Sequence, residues 1–168
     1  MVKPHLYLSA LVVSAAALFS APAGADTSVG QLAIAAMVPQ NCKVNVLDLP
    51  FGTYDPLMRH AAASLDAASS LTVTCTKNTS LRILLGGGEN AGNAGPRRMA
   101  QGDQKLAYQL FRDPSRNQVW GSGESGVSLP GTRGARAPEV LTIYGRIPPG
   151  QVVLAGRYTD TVVATLEF

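Results

Sequence analysis

An all-β sandwich of immunoglobulin-like size is the fold this sequence predicts, and three observations predict it. Apolar and polar residues alternate in short runs, turn-forming residues separate the runs, and no segment sustains the apolar period of a helix. Counting the runs gives about six or seven strands in a single domain.

The elements follow in chain order. Residues 1–25 read as a removable export signal: Lys3 and His5 begin it, Leu6 to Phe19 is apolar apart from serines, and Ala23-Gly24-Ala25 supplies small residues for cleavage. The apolar run is too short to span a bilayer comfortably and no second one follows, so no stable membrane insertion is expected. Residues 26–38 form a distinct leading segment. Within it Gly30, Leu32, Ile34, Ala36 and Val38 alternate, so in an extended chain they share one face. On periodicity alone this is the first strand of the chain's own sandwich; the alternative is a strand that completes a neighbouring molecule. Pro39 then interrupts the ladder. Residues 39–168 make up the β domain.

Cys42, Val44 and Val46 alternate with Lys43 and Asn45 as a strand with its sulfur inward. Residues 49–56, LPFGTYDP, form a turn-rich corner with two aromatics of buried type. The alanine-rich stretch Met58 to Ser70 is expected to be loop or a short edge segment, because both flanks read as β. Ser70–Thr76 is the clearest strand, with Leu71, Val73 and Cys75 on its apolar face. Leu81, Ile83 and Leu85 give the next strand. It runs into Gly86-Gly87-Gly88, which lacks the Lys-Ser or Lys-Thr of a phosphate loop and reads as a flexible connection.

Gln104–Asp113 is expected as one strand with Leu106, Tyr108 and Leu110 on one face. Val119-Trp120 starts a short strand or corner, and Gly121 to Pro138 reads as loop. Glu139–Ile147 returns to strand with Leu141 and Ile143 inward, and Pro148-Pro149-Gly150 turns the chain. Gly156–Phe168 is the last strand: Tyr158, Val162, Ala164, Leu166 and Phe168 share a face that Asp160 interrupts. The sequence ends inside this apolar strand. The expectation is therefore a sandwich one strand short, with an open groove beside Gly156–Phe168 that a strand from elsewhere fills.

Several function classes find no support. Of 14 basic and 11 acidic residues only Lys3 falls in the leader, so the positive excess is small and no nucleic-acid partner is expected. Cys42 and Cys75 in an exported chain point to one disulfide. A metal site is disfavoured, because His60 is the one histidine beyond the leader. The same scarcity, with no GxSxG signature, argues against an enzyme, and no cofactor is expected. Arg97-Arg98 fits a phosphate or sugar site less well than a solvated or anchoring pair. Trp120 fits a core position better than a sugar platform, and Asp160 reads as a turn-facing or partner-paired carboxylate.

The ordered set of motifs resembles the spore coat protein U domain family: Cys42 followed by residues 49–56, then LTVTC at 71–75, Arg97-Arg98-Met99, Leu106-Ala107-Tyr108, Trp120-Gly121, IYGRI at 143–147 and GRYTDTV at 156–162. The resemblance implies an incomplete immunoglobulin-like fold completed by a donor strand, with Cys42 and Cys75 as the family's paired cysteines. It also implies a structural subunit of an archaic chaperone–usher pilus that polymerises by donor-strand exchange and serves adhesion and biofilm formation. Its partners would be a periplasmic chaperone, an outer-membrane usher and other copies or related subunits. It would be exported through the inner membrane to the periplasm and then reach the cell surface. Residues 27–38 hold the donor position, and Gly156–Phe168 the strand a chaperone would hold. The alternatives are a self-contained secreted carbohydrate-binding module, built on Trp120 and the 86–100 loop, and a spore or surface coat protein.

Overall fold

The computed structural model describes Gly24, residues 26–91 and residues 96–168. The expected export signal thus lies, but for Gly24, outside the described residues. The chain divides into two units, 1–36 and 37–168. In the first, residues 26–36 carry no helix or strand and are exposed.

The second unit is an all-β immunoglobulin-like sandwich with nine strands among the described residues: β1 (Cys42–Val46), β2 (Leu65–Cys75), β3 (Leu81–Leu85), β4 (Arg98–Gln101), β5 (Gln104–Ala107), β6 (Gln109–Phe111), β7 (Val127–Leu129), β8 (Glu139–Ile147) and β9 (Ala164–Glu167). One sheet has the order β1-β2-β8-β6 and the facing sheet the order β7-β3-β9, with β4-β5 as a separate hairpin. All the pairings are antiparallel.

Alternation builds the core as expected. Leu71, Val73 and Cys75 of β2 and Leu81, Ile83 and Leu85 of β3 are buried while their neighbours are not, and Ile143 and Ile147 of β8 close the layer between the sheets. Trp120 is fully buried and its Nε1–H donates to the Ile83 carbonyl at 3.0 Å, which satisfies its one polar group.

The strand boundaries depart from the sequence reading in four places. The Met58–Ser70 stretch is loop, with one 3₁₀ turn at Arg59–Ala61, only as far as residue 64. From Leu65 it is the first half of β2, a central strand, because pairing with β8 outweighs the weak β preference of alanine. The expected single strand Gln104–Asp113 breaks at Tyr108. β5 pairs with β4 in the hairpin, whereas β6 pairs with β8, so the chain changes sheets at that residue; Leu106, Tyr108 and Leu110 are nevertheless all buried. The expected loop from Gly121 to Pro138 contains β7, which edges β3. The last strand is laddered only over Ala164–Glu167, and Phe168 at its end is 55% exposed.

Cys42 and Cys75 are directly opposed in the β1–β2 ladder and form the disulfide. Cys75 is buried, and Cys42 covers it from the edge strand. Closing a loop of this length is worth about 2–4 kcal/mol. Cys42→Ser and Cys75→Ser should each lower the thermal midpoint and the periplasmic yield. Unchanged melting and yield in both would remove the bridge from the stability account.

Candidate functional site

The sandwich has one open side. A groove of about 1340 Å³ runs between residues 46–57, on one lip, and residues 152–164 on the other. Its floor is formed by core residues, including Leu85, Leu106, Tyr108, Ile143 and Ile147, which the two lips leave almost wholly buried.

The first lip leaves β1 and rises along the sheet. Leu47 N–H still pairs with the Ser70 carbonyl at 3.0 Å, but residues 48–53 make no backbone–backbone bond among the described residues. Leu49 and Phe51 lie over Gly145 of β8, where an added Cβ would stand 2.7 Å from the Phe51 ring, so glycine there lets the lip approach. The lip is pinned at its upper end. Tyr54 stacks on His60 at 5.1 Å, and its hydroxyl donates to the Pro148 carbonyl at 3.0 Å. His60 is buried and its Nδ1 accepts the Asp55 N–H at 2.9 Å. The one histidine beyond the leader thus holds a turn.

The second lip is bonded on one side only. The carbonyls of Thr159, Thr161 and Val163 accept from Ala100, Glu89 and Gly86 at 2.8, 3.0 and 2.9 Å. Alternation then turns the backbone groups of Tyr158, Asp160 and Val162 the other way, toward the groove, and these make no backbone–backbone bond among the described residues. Both lips thus leave backbone groups unpaired on their groove side among the described residues, and the slot between them has an apolar floor.

Polar anchors fix the second lip. Asp160 faces inward. Its Oδ2 accepts the Tyr108 hydroxyl at 2.6 Å, and its Oδ1 accepts Asn90 N–H at 3.1 Å and Asn90 Nδ2 at 2.9 Å. Gly88, at φ +92°, crosses directly beneath this carboxylate, where any side chain would collide with it. Burial first, then the Asp160 hydrogen bond, push the Tyr108 phenol well above its usual pKa, so it remains a donor. Arg97 is buried and bonds Gly86 O, Leu85 O and Trp120 O at 2.9, 2.9 and 2.8 Å, and also Gln109 Oε1. Burial holds its guanidinium below the usual arginine value.

Of the groove residues named from sequence, Tyr158, Val162 and Ala164 line the slot. Leu166 is half-buried against the core. Phe168 is exposed beyond it. Gly30, Leu32, Ile34 and Ala36 are exposed within the leading unit, and Val38 is exposed just past it. The first lip was missed as a groove wall; the signal available was a run of apolar and aromatic residues broken by Pro50, Gly52 and Pro56. Arg97 was separable from the exposed Arg98 by no local pattern.

A family model for the Spore Coat Protein U domain matches residues 28–165. The chain is 38% identical over 173 residues to "Protein U" of Myxococcus xanthus, covering 95% of this chain and 96% of the relative. Among solved structures, the CsuC-CsuE chaperone-tip adhesion subunit pre-assembly complex from archaic chaperone-usher Csu pili of Acinetobacter baumannii matches with a TM-score of 0.58 and 25% identity over 78% of this chain. This chain spans 40% of the matched chain in that complex. The E. coli Hda pilus minor tip subunit, HdaB, matches with a TM-score of 0.40 and 16% identity over 74% of this chain and 79% of that one. A family match that runs from the leading segment into the last strand, together with a near full-length relative, makes this chain a member of the Spore Coat Protein U domain family.

Proposed function

We propose that the protein is a structural subunit of an archaic chaperone–usher pilus that polymerises by donor-strand exchange. The observation that carries this reading is the apolar slot whose lips leave their groove-side backbone unpaired, in a protein whose leading segment places Gly30, Leu32, Ile34, Ala36 and Val38 on alternate positions. The likeness to a subunit of Csu pili supports it. The leading segment of one copy, residues 27–38, fills the slot of the next. Burying Leu32, Ile34, Ala36 and Val38 there is worth on the order of 5–8 kcal/mol as an upper figure, and ladder bonds add direction. Each copy gives a strand and receives one, so the contact does not close and a fibre grows. Before assembly a periplasmic chaperone covers the slot, and an outer-membrane usher exchanges it for the donor at the cell surface. Adhesion and biofilm formation are the roles such a fibre would serve.

The test is gel filtration of the processed chain with and without residues 27–38. The intact chain should form concentration-dependent oligomers. The shortened chain should be a monomer that binds a peptide of residues 27–38 and melts at a higher temperature with it. Two equally stable monomers and no peptide binding would overturn the proposal.

The family's description as a Spore Coat Protein U domain favours a second reading, a coat protein that would assemble through the same slot without a dedicated chaperone. Reading frames for a chaperone and usher beside this gene would decide against it.

A further inference from the structure

The slot also carries information about which way a strand enters it and in what register. This inference rests on the donor-strand reading above.

Direction comes from where the leading segment departs. Thr76 fixes its root: Thr76 N–H donates to Asn41 O at 2.8 Å, Asn41 N–H donates to Thr76 Oγ1 at 3.1 Å, and Thr76 Oγ1 donates to Pro39 O at 3.2 Å. These groups lie at the lower end of the sandwich, with the start of β1 and the end of β2. The first lip rises from there to Tyr54 and Pro148 at the upper end. The second lip descends from residue 156 to β9, which pairs with Arg82–Leu85. Two lower ends face to face would give a closed pair. A fibre therefore sets the lower end of one copy on the upper end of the next, and the donor enters from above with its amino end leading. Read from residue 27 to residue 38 it then runs upward, antiparallel to the descending lip.

Register comes from Asp160. In the inward row 158, 160, 162, 164, 166 it is the one acid, and its carboxylate is held by Tyr108 and Asn90. A large apolar side chain laid beside it would strip its remaining water and offer no donor. We infer that Asp160 sets the register by accepting only Ala36 beside it, which places Val38 by Tyr158, Ile34 by Val162, Leu32 by Ala164 and Gly30 by Leu166. Size then complements along the row: large Leu32 meets small Ala164, and small Gly30 meets large Leu166. A slip of two residues one way puts Ile34 on Asp160 and Gly30 on Ala164, clashing at one site and leaving a void at the other. The opposite slip puts Val38 on Asp160 and Leu32 on Leu166.

Thiol crosslinking between two populations of processed chain tests this. Donors carry Leu32→Cys or Ala36→Cys; acceptors, lacking residues 27–38, carry Val162→Cys, Ala164→Cys or Leu166→Cys. A short bis-maleimide should join position 32 to position 164 at least fivefold faster than to 162 or 166, and position 36 to none of the three at that rate. Position 32 favouring 162 or 166 would overturn the register while donor exchange stood. Position 36 joining a residue farther along the lip than position 32 joins would mean parallel insertion and overturn the direction, and position 36 alone joining 164 would overturn the register. No crosslink at any pair while the donor still binds the acceptor would overturn register and direction together; no binding at all, with both populations folded, would overturn donor exchange itself. A full-length Ala36→Leu chain should lose at least tenfold in polymerisation rate, whereas Ala35→Leu, on the outward face, should polymerise normally; equal rates would remove Asp160 as the register determinant.

Discussion

Replacing Arg97 by methionine is expected to lower the thermal midpoint by about 10–20 °C, the equivalent of about 3–5 kcal/mol. Its guanidinium is buried and is the shared donor to the carbonyls of Leu85, Gly86 and Trp120. Those oxygens come from three points where the chain leaves regular pairing: the end of β3, the glycine run after it, and the corner at Trp120. Methionine keeps much of the volume and none of the hydrogen bonds, so buried acceptors are left orphaned. Arg97→Lys should recover part of the loss, since one ammonium cannot reach every oxygen that the planar fork spans. The exposed neighbour supplies the control: Arg98→Met should melt within about 2 °C of the parent, as surface changes do. A midpoint for Arg97→Met equally close to the parent would show that the network carries no weight.

Trp120→Ala is the second large effect, expected to cost about 3–5 kcal/mol from the cavity alone. The Ile83 carbonyl, which now accepts the indole N–H, loses its partner as well. Trp120→Phe should cost distinctly less, because most of the ring volume stays. Differential calorimetry of the two variants separates cavity from hydrogen bond. The same pair bears on the carbohydrate reading. A fully buried ring offers no face to a sugar, so a folded Trp120→Phe protein should keep whatever glycan binding the parent shows. Binding lost by that variant with its melting curve near the parent's would reopen that role for Trp120.

What could be read from sequence was what depends on alternation. Leu71-Val73-Cys75, Leu81-Ile83-Leu85 and Leu141-Ile143 announce their strands and their core-facing sides because a residue's side is fixed by parity, although Leu141 is only partly buried. The cysteines were legible for a related reason: both sit on strand patterns with the sulfur inward. Parity says nothing about partners. It could not show that the chain changes sheets at Tyr108 or that alanines 67 and 68 lie in a central strand, since both follow from pairing with β8. Nor could it show that residues 48–53 are a lip. Those residues lack the ladder that would mark them as a strand, because their partner is not in the same sandwich on the reading proposed here. Asp160 was visible as a break in an apolar face; what it binds was not, because Asn90 and Tyr108 lie far away in sequence.

The disulfide joins the root of the leading segment to a strand that is paired on both sides. On the reading proposed here, in a fibre pulled from its ends the load would enter each subunit at Asn41 and Cys42. Without the bridge it would fall on β1, a five-residue strand with one neighbour, which could unzip bond by bond. The Cys42–Cys75 bond would carry that tension across at the first residue into β2, which pairs with β1 on one side and β8 on the other. In such a fibre the covalent link would work as a mechanical clamp, so that stretching would have to shear the sandwich as a whole before it could peel an edge.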